Sequence, residues 1–134
     1  GPSLADSAGQ AAAPVESFEV KVAFNGETCA YDGPIELPDG AVATFDFETA
    51  ETEVSMIVVG VHEGTTWEEI AEFVVDHPAS TVPPFVDYRR VDVQTGAGSM
   101  VVVMPSGSYL VTCNTSFDHT DTAHPAALIE VADG

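Results

Sequence analysis

Phe18, Val20, Val22 and Phe24 alternate with Glu19, Lys21 and Ala23, a period of two that predicts a strand with one apolar face. Asn25-Gly26 is a tight-turn signal. A short segment from Thr28 to Tyr31 follows, carries Cys29 and stops at Asp32-Gly33-Pro34. Ile35-Glu36-Leu37 precedes the turn Pro38-Asp39-Gly40. Beyond it Val42, Thr44, Asp46 and Glu48 oppose Ala43, Phe45 and Phe47 in a second alternating strand. Val54 to Val61 is almost continuously apolar, which predicts a strand covered on both faces. Thr49 to Glu53 is the polar connection between these two.

One stretch changes period. Thr66-Trp67-Glu68-Glu69 is a capping box, in which the Thr66 hydroxyl accepts from the first-turn backbone and Glu69 reaches back. Trp67, Ile70, Ala71, Val74 and Val75 then form an apolar stripe at helical spacing. Glu68 and Glu69 lie at the positive end of the helix dipole. The pattern predicts one helix over about residues 66–76, ended by His77-Pro78, with Trp67 in the core.

The strand pattern then returns. Ala79 to Pro84 reads as a loop, and Val86, Tyr88, Arg90 and Asp92 alternate with Asp87, Arg89, Val91 and Val93 in a strand of ambiguous face. After the turn Gly96-Ala97-Gly98 comes a short apolar strand, Met100 to Met104. Pro105-Ser106-Gly107 turns into Tyr109-Leu110-Val111-Thr112-Cys113, a strand running into a cysteine. Asn114 to Pro125 reads as a polar loop and Ala127 to Val131 as the closing strand. Eight or nine short strands with a single inserted helix and no internal repeat predict an all-β fold, a Greek-key β-sandwich.

Composition sets the boundaries. The 134 residues suit one domain, over residues 17–134. Residues 1–16 read as a flexible tether rich in Ala, Ser, Gly and Pro, headed by Gly1-Pro2, which resembles a protease-cleavage scar. In exported bacterial lipoproteins a tether of this composition follows the lipid-bearing cysteine. The expectation is therefore an exported, cell-surface protein with a lipid anchor upstream. Hydrophobic residues make up 45% of the chain, yet no apolar run approaches the ~20 residues that span a bilayer.

Charge narrows the partners. Three basic residues face 22 acidic ones, for a formal charge of -19. Such a field repels nucleic acid and anionic lipid heads, whose binding depends on Lys and Arg. The acidity reads first as a solubilising surface, next as a docking surface for a basic protein partner, and last as a divalent-cation site. No Asp-x-Asp-x-Asp-Gly loop supports a dedicated calcium site.

Two cysteines in a chain expected to be exported favour a disulfide between Cys29 and Cys113. It would close a loop of about 85 residues and, on chain entropy alone, stabilise the fold by roughly 4–5 kcal/mol. Two buried free thiols are the competing reading. A catalytic cysteine is disfavoured, because no Cys-x-x-Cys or Cys–His arrangement accompanies either one.

Gly107-Ser108-Tyr109-Leu110-Val111-Thr112-Cys113, followed by His119, His124 and a terminal strand, resembles the C-terminal end of cupredoxin-like domains. There a Pro-Gly-x-Tyr-x-x-x-Cys strand leads into a loop bearing Cys, His and Met copper ligands. The likeness covers roughly residues 100–131. Gly64-Thr65-Thr66-Trp67-Glu68-Glu69 also resembles a helix insertion in actinobacterial-type secreted lipoproteins with two such cysteines. The resemblance implies a cupredoxin-like sandwich.

The ligand set departs from that family. A type 1 copper site needs two imidazoles and a thiolate in one plane. The upstream imidazole belongs in the Thr52 to Val61 region, where Ser55 or Met56 stands, and His62 lies past that strand. The loop through His119 and His124 is long, a histidine replaces the expected methionine, and a disulfide-bonded Cys113 has no thiolate. No metal is therefore expected. The alternative is a copper or zinc site at His119 and His124, joined by His62 and flanked by Asp118 and Asp121. His62 and His77 read as surface residues or caps, and Met56, Met100 and Met104 as core. No Gly-x-Ser-x-Gly elbow or phosphate loop is present, so no catalytic residue is assigned. The function expected is a non-catalytic binding or interaction domain, not an enzyme.

Overall fold

The computed structural model describes residues 17–77, 83–115 and 123–133. The tether over residues 1–16 and the candidate ligands His119, Asp118 and Asp121 lie outside the described residues.

Nine strands and one helix appear among the described residues. They are β1 (Ser17–Phe24), β2 (Cys29–Asp32), β3 (Glu36–Leu37), β4 (Ala41–Thr49), β5 (Val54–Val61), α1 (Trp67–Asp76), β6 (Val86–Thr95), β7 (Gly98–Met104), β8 (Gly107–Thr115) and β9 (His124–Val131). A four-stranded sheet has the order β2-β1-β4-β7 and a five-stranded sheet the order β3-β9-β8-β5-β6. β1 runs parallel to β4 and β9 parallel to β3, while the remaining pairs are antiparallel. The fold is a β-sandwich with one helix, as the alternation of apolar residues predicts.

The two sheets share one core. Val20, Val22, Phe24, Phe45 and Phe47 from the smaller sheet meet Met56, Val58, Tyr109, Val111 and Ile129 from the larger one. A second cluster lies on the far side of the larger sheet, where Val59, Val61 and Leu110 pack against Ile70 of α1 and against Phe85. β5 is thus covered on both faces, which is why its sequence is apolar without alternation.

The helix forms where the capping pattern places it, and the Thr66 hydroxyl accepts from the Glu69 N–H at 3.2 Å. Its buried face differs from the expected stripe. Ile70 is fully buried, with Phe73 and Val74 packed beside it, but Trp67 is 39% exposed and Val75 79% exposed. At about 100° per residue Val75 lies some 140° around the helix from Ile70. Phe73, set edge-on to Phe85 with centroids 5.6 Å apart, takes the position expected of the stripe's outer members.

Two strand limits also differ from expectation. β8 continues through Asn114 and Thr115, and β9 begins at His124 rather than Ala127, so the connection is shorter than the polar stretch. Pro125 sits in β9 without cost because β3 pairs only with Glu130 and Val131, leaving the first half of β9 an edge. A register shift between Pro125 and Ala127 absorbs the irregularity.

β6 pairs with β5 through Val91 opposite Val59 and Val93 opposite Ile57, which settles its face. The register then skips to Asp87 opposite Gly60, so the strand bulges at Tyr88, Arg89 and Arg90. The bulge carries the Arg90 guanidinium over the Tyr109 ring, 5.0 Å from its centroid.

Candidate functional site

Cys113 is fully buried near the end of β8 and bonded to Cys29 of β2, with Cα atoms 5.8 Å apart. The disulfide joins the two sheets. β-Strand alternation points Tyr109, Val111 and Cys113 into the sandwich and Ser108, Leu110, Thr112 and Asn114 to the opposite face. On one side of Cys113 the paired residue is Met56, itself fully buried, and on the other it is His124. Phe24, which pairs with Cys29, sets its ring 5.2 Å from that of His124, tilted by 51°. Cys29, Cys113, Met56, His124 and Phe24 therefore share one end of the core.

The other histidines lie elsewhere. His62 follows β5 at its far end and is exposed. It stands six positions beyond Met56, which at about 3.3 Å per residue is ~20 Å along the strand. The register thus keeps His62 away from His124. The His62 backbone carbonyl instead accepts from the Thr65 hydroxyl at 2.6 Å and from the Thr65 N–H at 3.1 Å, fixing the turn into α1. His77 ends α1, stacks on Phe73 with centroids 4.0 Å apart, and hydrogen-bonds through Nδ1 to the Phe73 carbonyl at 2.9 Å.

The donors present do not fit a type 1 copper centre. Cys113 sulfur is shared with Cys29 and offers no thiolate, and a thioether occupies the β5 position across from it. Among the described residues no group of three or more His, Cys, Asp or Glu side chains converges as a metal site.

Two titratable groups elsewhere in the strands have shifted values. The Arg89 side chain hydrogen-bonds Asp87 at 3.0 Å and holds its carboxyl down at about 2. Burial pushes the Tyr31 phenol up to about 12, and its hydroxyl donates to the Pro34 carbonyl at 2.6 Å.

A cavity of about 310 Å³ opens on the outer face of the five-stranded sheet beneath α1. No motif announces it, because its walls are alternate residues of separate strands. Pairing of β5, β6 and β8 brings these together, and Phe73, Val74 and His77 close the space from the helix side.

No known protein family matches the chain, and no curated protein does. Among solved structures, it is similar to dithionite-reduced auracyanin from Roseiflexus castenholzii, at 17% identity over 90% of this chain and 99% of that one, with a TM-score of 0.43. Auracyanin A, a "blue" copper protein of Chloroflexus aurantiacus, is 17% identical over 87% and 99%, with a TM-score of 0.42. Auracyanin B is 21% identical over 92% and 93%, also at 0.42. At these values of identity and superposition the likenesses assign neither copper nor an activity to this chain.

Proposed function

We propose that this chain is a non-catalytic, cupredoxin-like Greek-key binding module of an exported or lipid-anchored cell-surface protein, working without a type 1 copper centre. The observation that carries the reading is the Cys29–Cys113 bond, which consumes the sulfur a blue-copper site would require. The cupredoxin-like part rests on the Gly107 to Cys113 stretch, which forms β8 beside a terminal β9 that begins at His124. A basic protein is the partner the charge favours. Of three basic residues, Arg89 is paired with Asp87 and Arg90 lies over Tyr109, so little positive surface offsets the 22 acidic groups.

The test is addition of Cu(II) to the oxidised protein, read by visible absorption. No thiolate-to-copper charge-transfer band is expected. A stoichiometric band of that kind overturns the proposal.

One observation favours a second reading, a copper or zinc site built on His124 with His119. His124 is half-buried directly across from Cys113. Calorimetric titration with each metal separates the two readings. A one-to-one site abolished by His124→Ala and by His119→Ala supports the second, and no such site supports the first.

A further inference from the structure

We propose that the cavity beneath α1 binds a small, neutral, largely apolar molecule that carries a hydrogen-bond donor, either a hydroxyl or an N–H. This goes beyond the interaction-module reading and stands separately from it, since the cavity lies on the opposite face of β8 from Cys113.

Two side chains two positions apart on β8 border the cavity. Thr112 is 6% exposed and Asn114 half-buried, and both line the cavity beside Leu110. Thr112 Oγ1 and Asn114 Oδ1 are buried there without a hydrogen-bond partner among the described residues. A buried polar atom without a partner costs free energy, and native structures rarely leave two side by side. Both belong to residues lining a space whose volume, about 310 Å³, falls at the small end of known ligand pockets, ~300–1,000 Å³.

The lining defines the ligand. Ile57, Val59, Phe73 and Leu110 are apolar, and among the described residues no Asp, Glu, Lys or Arg contributes, so neither an anion nor a cation would find a counter-charge among them. Asn114 Oδ1 can only accept a hydrogen bond. His77 lies beside the same cavity, its Nδ1 donating to the Phe73 carbonyl, which only accepts. An acceptor without charge selects a neutral donor. The rim is apolar too, with Val91 and Val93 partly exposed on the edge strand β6.

The probe is N-phenyl-1-naphthylamine, a neutral aromatic amine with one N–H whose emission rises in apolar surroundings. Titrated into the oxidised full chain, it should bind saturably at one molecule per chain. 1-Benzylnaphthalene, which replaces the N–H by CH₂, should displace it with an inhibition constant about tenfold above the probe's own dissociation constant, the size expected for one hydrogen bond. Thr112→Val and Asn114→Leu should erase that preference while leaving circular dichroism unchanged. Val91→Glu, at a partly exposed position that tolerates a polar side chain, should weaken the probe by tenfold or more. Non-saturable binding, equal competition by the two naphthalenes, or indifference to Val91→Glu overturns the proposal. So does a dimer in light scattering that excludes the probe, which would make a second copy the occupant.

Discussion

Cys113 in the five-stranded sheet is covalently joined to Cys29 at the edge of the four-stranded sheet, across a sequence separation of 84. The bond ties the two layers of the sandwich at one end, while β7 and β6 approach at the other side of the molecule through a short turn. Its removal should therefore weaken the whole domain rather than one strand. Chain entropy sets an upper figure of about 4–5 kcal/mol. Urea unfolding of the Cys29→Ala, Cys113→Ala protein should show a midpoint lowered accordingly, and the wild type in reductant should follow it. An unchanged midpoint would mean that packing of Phe24 and Met56 alone holds this end together.

Gly107 opens β8 with φ of +143°, a conformation that side chains strain to adopt, and a Cβ there would run into the Arg90 guanidinium. Arg90 is held in place by the Tyr109 ring and by the Ser106 carbonyl at 3.2 Å. Gly107→Ala should cost about 1–3 kcal/mol from the backbone alone. In an Arg90→Ala background the same change should cost about 0.5–1 kcal/mol less, because no stacked cation has to move. Equal costs in both backgrounds would dismiss the contact. The measurement is a double-mutant cycle of chemical unfolding.

The helix offers a sharp contrast of positions. Ile70→Ala removes a fully buried side chain between α1 and the sheet and should destabilise by about 2–5 kcal/mol. Val75→Ala, on the exposed side, should stay within about 0.5 kcal/mol. Thermal unfolding of the two variants decides whether the helix docks as described.

That contrast marks the limit of what the chain's pattern discloses. The capping residue Thr66 and the change from a period of two to helical spacing locate α1, since both are local. Which apolar residues it buries depends on the sheet beneath it, so Trp67 and Val75 match Ile70 in pattern although only Ile70 is buried with Phe85 and Leu110. The same holds for strands. β5 shows in its unbroken apolar run, and the two cysteines suggest their own bond, but the ends of β8 and β9 follow from register. Nothing local says that His124 faces Cys113, or that His62 lies a strand's length away. The cavity is more hidden still, being assembled from alternate residues of β5, β6 and β8.

Tyr31 should make the fold sensitive to alkali. Its phenol titrates at about 12 in the folded chain because burial disfavours the phenolate, against about 10 when unfolded. A raised folded value means the stabilisation is fully present below pH ~10 and is lost as pH rises towards ~12. Ultraviolet absorbance should show one phenolate forming near the upper value, absent in Tyr31→Phe, and the variant's stability should fall less between those two pH values. Ionisation of every tyrosine with an apparent value near ~10 would contradict the burial of this ring.

Thr112 links stability to the proposed ligand. Its hydroxyl is buried on the outer face of β8 without a partner among the described residues, and a Val side chain has nearly the same shape. Replacing an unsatisfied hydroxyl by a methyl removes a desolvation penalty of about 1–3 kcal/mol, so Thr112→Val should raise the unfolding midpoint of the empty protein. A residue kept at the expense of stability is the pattern expected of a binding position. With saturating N-phenyl-1-naphthylamine the wild type should recover part of the difference, because a ligand that binds the folded chain stabilises it by mass action. A variant less stable than wild type in both states would show that the hydroxyl already has a partner, and Thr112 would then be an ordinary structural residue of the strand.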